Sequence, residues 1–379
     1  MGNSPIKVLQ VINDFKKGGV QSEVMYPARI LPKENVEFDV LLLSDTVGYY
    51  EDEFKNYGNI YRIPLKRKKT KLQRLLSIFT NYFYVKKEMK KFLCEHKDYD
   101  AVHVRHLLFN APCVSAAKKA KILVRIAHCA VNRPKGEFKD RFYVTFYLWC
   151  CAQVLKKKAT SIFGVTKSAV EYIAGEGNGI VMKNPTINLE QFNPELYPNK
   201  NTDGIVRLIM VGSYSTRKNQ KFAIDILKEL CKEKPDSELT FIGYPRNETE
   251  TYLDEMKQKI KDYGLEDNVK FLPQDTNIPL AMSESTFLLM PSLQEGLPNV
   301  ALEAQAMGLP CYVSSDVSTE CDLGLCEFLD LKKGSEYWSE KLIEYIDNNG
   351  FEKNYIDMSD WNNKKISEDY LEYWRGNKK

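Results

Sequence analysis

The sequence is poor in the features that usually mark metal sites and disulfide frameworks. Its 379 residues include four histidines and nine cysteines, and no two cysteines have the CxxC spacing. The histidines, at positions 96, 103, 106 and 128, follow no metal-site pattern. We therefore expect no bound metal and no disulfide framework, in a chain that works in a reducing cytoplasm.

The sequence also lacks an apolar run suited to crossing a bilayer. A spanning helix needs about 20 mostly apolar residues, whereas the uncharged aromatic stretch at residues 142–155 is shorter. The chain opens with residues that predict a buried strand, not with the basic and apolar segments of a signal peptide. Residues 142–155 are expected to form a core helix or an interfacial segment, and the core is the favoured alternative.

Acidic residues are scarce in the first half of the chain. Residues 1–190 contain 32 Lys and Arg against 18 Asp and Glu, and residues 191–379 contain 22 against 33. A basic half can face nucleic acid, phospholipid head groups or a phosphorylated substrate. The basic stretch at residues 66–91 has apolar residues at helical spacing. It predicts a helix that either packs on its own domain or attaches to an anionic membrane surface.

The order of apolar and helical patterns predicts two α/β domains with parallel sheets. Strands are predicted at residues 7–12, 37–43, 101–104, 122–127 and 161–165, and again at 206–212, 238–243, 268–272, 287–290 and 310–313. Between the two sets, the proline and glycine density of residues 183–204 predicts a linker. An amphipathic helix capped at its Ser359-Asp360 start is predicted for residues 359–374.

The most informative segment is residues 291–310, PSLQEGLPNVALEAQAMGLP. Gly296 and Pro298 disfavour a helix, and helix formers follow, so a helix should begin near Asn299. Glu295 then lies in the loop before the helix, and Glu303 lies about one turn inside it. Carboxylates accept hydrogen bonds from sugar hydroxyls, and the N–H groups of a helix start stabilise phosphate oxygens. This arrangement suits a sugar attached to a diphosphate.

Two glutamates at this spacing could also belong to an ordinary surface loop and helix. The complete segment, however, resembles the Glu-x7-Glu signature of retaining glycosyltransferases of family 4. The resemblance implies the GT-B fold, in which two Rossmann-like domains face each other across a cleft. It assigns Glu295 to the donor sugar and Glu303 to the nucleotide ribose. The loop and helix start that it assigns to the donor are Gly296, Leu297, Pro298, Asn299 and Val300.

The segment VGSYSTRKNQ at residues 211–220 lies between a predicted strand and a predicted helix, where open α/β sheets bind ligands. It resembles the family's loop that holds the donor diphosphate with an arginine and a lysine. Lys218 matches the lysine, and Ser213 stands where the arginine is usual. Arg217 is offered as its substitute. A solvated basic loop is the alternative.

Two further features of the first half resemble the family. Gly18 and Gly19 follow the first strand, where they match the family's glycine loop near the donor phosphate and the acceptor, although adjacent glycines also occur in ordinary turns. His128 ends a predicted strand and matches the family's cleft histidine. It is expected to bond the donor sugar or an acceptor hydroxyl.

The resemblance thus implies a GT-B enzyme with an acceptor domain at residues 1–189, a donor domain at 190–355 and a crossover helix at 356–379 that packs on the first domain. The expected reaction is retaining, metal-independent transfer from a nucleotide sugar, with a UDP-sugar expected and no other cofactor. The expected acceptor is a glycan or a polyprenyl-diphosphate-linked glycan of bacterial capsule or exopolysaccharide synthesis, reached at the cytoplasmic membrane face and without nucleic acid. The alternatives are a nucleotide-sugar epimerase and a catalytically silent binding protein of this fold.

Overall fold

A computed structural model describes residues 5–378 except 17, 34, 67–70, 131–141, 199–202 and 245–249. The described chain divides into two units, one formed by residues 1–186 with 360–379 and the other by residues 187–359. The expected boundaries, after residues 189 and 355, lie three and four residues from the observed ones.

Unit 1 is a parallel α/β unit whose described strands form one sheet. The strands are β1 (Ile6–Ile12), β2 (Val36–Leu42), β3 (Ile60–Arg62), β4 (Ala101–Val104), β5 (Val124–Cys129), β6 (Ser161–Gly164) and β7 (Ile180–Val181). The helices that connect them are α1 (Gly19–Ile30), α2 (Glu51–Phe54), α3 (Lys71–Glu95), α4 (Asn110–Lys119), α5 (Phe142–Lys158) and α6 (Lys167–Ala174). The strand order is β3-β2-β1-β4-β5-β6-β7, with every pairing parallel.

Unit 2 repeats the architecture with a shorter strand order. Its strands are β8 (Arg207–Val211), β9 (Glu238–Ile242), β10 (Val269–Leu272), β11 (Phe287–Met290), β12 (Cys311–Ser314) and β13 (Cys326–Leu329). Its α-helices are α7 (Gln220–Leu230), α8 (Glu250–Asp262), α9 (Ile278–Ser283), α10 (Asn299–Ala306) and α11 (Gly334–Asn349). The order β10-β9-β8-β11-β12-β13 is again parallel.

Most strand residues are apolar because helices cover both faces of a parallel sheet. β11, with the sequence FLLM, is buried at all four positions. Helix α7 shows the complementary pattern, since it buries Ala223, Ile224, Ile226, Leu227 and Leu230 in the core of unit 2. The predicted strands are therefore confirmed to within about two residues, while β3, β7 and β13 were not predicted.

The last helix, α12 (Asn363–Trp374), returns to unit 1. It buries Ile366, Tyr370, Leu371 and Trp374 in the unit 1 core and packs against α1. The expected crossover helix is confirmed, but its cap was predicted wrongly. Ser359 and Asp360 belong to a separate 3-10 turn. The side chain of Asn362 caps α12, because it accepts hydrogen bonds from N–H groups in the first turn of that helix.

Both helices expected to carry surface chemistry are present in unit 1. α3 extends from Lys71 to Glu95. Four positions of the basic run at residues 66–71, namely 67–70, lie outside the described residues. α5 is divided between core and surface: Tyr147 and Leu155 are buried, whereas Phe146 and Trp149 are about half exposed or more. No helix in the described ranges combines the length and the apolar character that a bilayer crossing needs.

Candidate active site

The topology of unit 2 predicts where its ligand site lies. Successive strands add to one side of β8 and then to the other side, so the order reverses between β8 and β11. In open parallel sheets the loops after two such strands separate and leave a crevice at their carboxyl ends. Here those loops are residues 212–219 and 291–298. They also contact each other, since the Leu293 N–H donates to the Arg217 carbonyl at 2.9 Å and the Asn219 side chain donates to the Pro291 carbonyl at 3.1 Å.

Lys218 and Glu295 form an ion pair across this crevice. The Lys218 Nζ lies 2.8 Å from the Glu295 Oε1, and the two side chains are only 15% and 11% exposed. Gly212, at the start of the first loop, has a φ of +145°, a backbone conformation that disfavours residues with a side chain. The two charged residues proposed from separate sequence motifs are therefore neighbours in the folded unit.

Helix α10 begins beside this pair. The helix starts at Asn299 after Pro298, as the sequence predicted, and the side chain of Pro298, at the N-cap, makes no capping hydrogen bond. The first N–H groups of an α-helix have no partner within the helix, and they carry its partial positive charge. Gly296 and Leu297 lie in the loop between Glu295 and this start. The loop and Val300 in the first turn thus bring backbone donors to the same edge of the sheet as Lys218.

Glu303 lies one turn inside α10, on the helix face that it shares with Asn299. Among the described residues nothing pairs with its carboxylate, and burial raises the pKa of Glu303 to about 7. The Asn299 Oδ1 and the Ser292 Oγ are also buried, with no hydrogen-bond partner within the described part of the chain. Buried polar atoms are nearly always hydrogen-bonded, so this group of unpaired atoms suits a ligand that carries hydroxyls.

The other cation of the loop is placed differently. Arg217 is exposed, and its carbonyl accepts the hydrogen bond from the Leu293 N–H. Ser213 takes part in the loop through its carbonyl, which accepts a hydrogen bond from the Gln220 side chain at 3.1 Å. The structure thus brings Lys218 together with Glu295, and it does not bring Arg217 into that pair. The role of Arg217 as a substitute for the usual arginine remains a prediction.

In unit 1 the strand order reverses between β1 and β4. Gly18 and Gly19 lie after β1 at this reversal, where Gly18 precedes and Gly19 begins α1. Lys17 of the same loop lies outside the described residues. The Gln21 side chain donates to the Asp14 carboxylate at 3.1 Å and so ties the first turn of α1 to the loop. The glycines therefore have the position expected of a ligand loop.

His128 lies near the end of β5 and is 1% exposed. Its Nδ1 is 3.3 Å from the Nε2 of His103, which lies on β4 and was not singled out from the sequence. Burial, together with the charge of Arg105, holds the pKa of His128 well below its usual value. This histidine pair could not be predicted from the sequence, because the two residues are 25 positions apart. Across the described ranges, no group of three His, Cys, Asp or Glu side chains is arranged to hold a metal ion.

Comparison with known proteins shows which family model and which relatives this chain resembles. Residues 198–329 match the family model described as Glycosyl transferases group 1. The chain is 26% identical over 359 residues to EpsF of Bacillus subtilis (strain 168), which carries a glycosyltransferase name, and the match covers 90% of this chain and 88% of that protein. It is 24% identical over 313 residues to the capsular polysaccharide biosynthesis glycosyltransferase CapH of Staphylococcus aureus, and this match covers 79% of this chain and 78% of that protein.

A third relative is the UDP-Gal:alpha-D-GlcNAc-diphosphoundecaprenol alpha-1,3-galactosyltransferase of Escherichia coli. The two chains are 25% identical over 345 residues, and the match covers 84% of this chain and 82% of that protein. Among solved structures, the chain is similar to Anabaena Alr3699/HepE, crystallised in complex with UDP, with a TM-score of 0.68 and 14% identity over 97% of this chain and 95% of that one. The fold is GT-B. The family match and the relatives support a glycosyltransferase.

Proposed function

We propose that the protein is a retaining, metal-independent glycosyltransferase of bacterial surface polysaccharide synthesis, similar to family 4. It would move a sugar from a UDP-sugar to a hydroxyl of a glycan or of a polyprenyl-diphosphate-linked glycan. The observation that carries the proposal is the Lys218–Glu295 pair at the strand reversal of unit 2. This pair lies within the residues that match the group 1 glycosyl transferase model.

The site is suited to a leaving diphosphate. In the proposed reaction the bond between the anomeric carbon and the diphosphate oxygen breaks, and the acceptor oxygen bonds to that carbon on the same face. The acceptor proton passes to the departing diphosphate, so no protein nucleophile is needed. Lys218 and the start of α10 would stabilise the growing negative charge. Such preorganised donors contribute about 3–4 kcal/mol each in other enzymes.

The two glutamates would have separate tasks. Glu295 is paired with Lys218, so it stays near the diphosphate and can accept hydrogen bonds from the sugar hydroxyls. Glu303 lies on α10, with a raised pKa and no ionic partner among the described residues. Hydrogen bonds from the two ribose hydroxyls would favour its ionised form. We infer that nucleotide binding lowers the pKa of Glu303.

A donor-turnover assay tests the proposal. The protein would be incubated with UDP-, GDP- and ADP-sugars without acceptor, and the products followed by NMR. Slow release of a nucleoside diphosphate that is lost in Lys218→Ala would support transfer. A changed sugar in the recovered nucleotide sugar would support an epimerase instead. If there is no turnover, and no nucleotide raises the melting temperature, the protein is a binding protein for other ligands.

We further propose that the enzyme binds to an anionic membrane surface. On unit 1, Phe83, Phe146 and Trp149 are 68%, 51% and 60% exposed. Partial burial lowers the pKa of Lys158, and neighbouring positive charges lower it further. Those charges are Lys86, Lys119 and Lys118. Exposed aromatics and lysines on α3, α4 and α5 suit a surface of anionic lipid head groups, where each lysine contributes about 1 kcal/mol.

Vesicle sedimentation tests this membrane binding. Binding to phosphatidylglycerol vesicles should fall as salt rises, because the Debye length shortens to about 8 Å at physiological ionic strength. It should also fall in a Lys86→Gln/Lys158→Gln variant. The matched control is Lys332→Gln/Lys333→Gln, which removes two lysines from unit 2. An absence of binding at low salt, or equal binding by both variants, would refute the membrane surface without affecting the transferase proposal.

A further inference from the structure

A buried chain of three side chains joins the last helix to His128. The indole Nε1 of Trp374, on α12, donates to the Nδ1 of His103 at 3.2 Å. The Nε2 of His103 is 3.3 Å from the Nδ1 of His128. The two imidazole planes differ by 17°, with centroids 5.4 Å apart. Given the short distance between the nitrogens, the rings meet edge to edge in one plane, which is the geometry of an N–H···N hydrogen bond and not of face-to-face stacking.

The indole sets the direction of every proton in this chain. A tryptophan N–H can only donate, so the His103 Nδ1 must be an unprotonated acceptor. A neutral imidazole carries one proton, which places the proton of His103 on Nε2. This nitrogen then donates to the His128 Nδ1, and the proton of His128 must be on its Nε2. An imidazolium at either position would place two N–H groups against each other, so both rings are neutral.

The groups packed around the two rings favour the same protonation state. Burial lowers the pKa of both histidines far below the usual value, and the positive charge of Arg105 lowers it further. Glu23, on α1, pairs with Arg105 at 3.2 Å instead of with either histidine. Tyr370, on α12, has its ring beside both imidazoles. None of these groups supplies a negative charge to the histidine pair.

We propose that His103 and Trp374 are positioning residues that fix His128 as its neutral Nε2–H tautomer. His128 can then donate a hydrogen bond from Nε2 but cannot take up a proton there. The Nε2 is buried and has no acceptor among the described residues. This inference rests on the proposed function and on the family resemblance, from which His128 is expected to bond the donor sugar or an acceptor hydroxyl. It narrows that role to a hydrogen-bond donor and excludes His128 as the base that deprotonates the acceptor.

The experiment is long-range 1H–15N NMR of the histidine rings, and the chain has only four histidines to assign. In the wild-type protein we expect His128 to show an unprotonated Nδ1 and a protonated Nε2, without change between pH 6 and 8. A proton on Nδ1, an averaged mixture of tautomers or an imidazolium at pH 6 would overturn the proposal. This spectrum requires no substrate, so it is independent of whether the protein transfers sugars.

Variants test the two positioning residues. Trp374→Phe keeps an aromatic ring but removes the donor, and it should give a second tautomer of His128, whereas the control Trp361→Phe should not. His103→Gln can still accept from Trp374 and donate to His128, so it should retain the single tautomer that His103→Leu loses. An unchanged His128 spectrum in Trp374→Phe and His103→Leu would contradict the positioning role. If either variant does not fold, the wild-type spectrum and the glutamine variant still decide.

Discussion

Replacing Glu303 by glutamine should make the protein more stable at alkaline pH. The pKa of Glu303 is raised from 4.5 to about 7 because its carboxyl is buried. Below pH 4.5 the group is protonated in both the folded and the unfolded chain. As the pH rises toward 7, the unfolded chain releases this proton and the folded chain retains it, so stability is lost. Glutamine has no proton to release, and it removes this loss.

The size of the effect follows from the shift. A difference of one pKa unit corresponds to about 1.4 kcal/mol. With values of 4.5 and about 7, the cost of the glutamate at pH 8 exceeds its cost at pH 5 by at most about 2–3 kcal/mol. The stabilisation by Glu303→Gln should therefore be small at pH 5 and clearly measurable at pH 8.

Urea unfolding at the two pH values measures the difference in the free energy of unfolding. The exposed Glu340, on α11, provides the control, because Glu340→Gln should leave the pH dependence unchanged. In the wild-type protein, the affinity for UDP-glucose should weaken from pH 8 to pH 6 as Glu303 takes up a proton. The Glu303→Gln variant should lose this pH dependence. Equal stability of Glu303→Gln and wild type at pH 8 would refute the buried, unpaired carboxylate.

Five further substitutions test the donor site. Lys218→Ala should lower kcat by about 100-fold or more, the scale of losing one donor to a developing charge, while Arg217→Ala should lower it less; the reverse order in steady-state kinetics would mean that Arg217 holds the diphosphate. Glu295→Ala should lower kcat by about 10- to 100-fold and Glu303→Ala should mainly weaken UDP binding by calorimetry, since a ribose contact is shared by the ground and transition states. Gly212→Ala should destabilise the protein by about 1–3 kcal/mol in thermal unfolding, because its φ of +145° is unfavourable for alanine; a Gly212→Ala variant as stable as the wild type would argue against this backbone conformation.

Strong local patterns allowed parts of this fold to be predicted from the sequence. β1 is a mostly apolar and buried run, and α10 begins at Asn299 because Pro298 disfavours helical geometry at the residue before it. β3 was missed because it is only three residues long and none of its residues is fully buried. The α12 cap was misplaced because the sequence offers Ser359, Asp360 and Asn362 within four positions, and only the folded chain shows which side chain reaches the helix N–H groups.

The site, like the fold, was predictable from the sequence only where its pattern is local. The Glu-x7-Glu segment and the Lys218 loop were visible as motifs, since each is local. Their contact was not visible, because it depends on the reversal of strand order between β8 and β11. His103 gave no signal at all, because its hydrogen-bond partner Trp374 is 271 residues away and belongs to a helix that returns to unit 1.

We expect the Lys218–Glu295 site to transfer a sugar from a UDP-sugar with retention of configuration, and time-resolved 1H NMR of the protein with an α-linked UDP-sugar measures this. UDP should be released slowly, with the sugar first appearing as the α-anomer, and Lys218→Ala should abolish this release while the fold stays intact. A first-formed β-anomer, or a release rate that Lys218→Ala leaves unchanged, would contradict it.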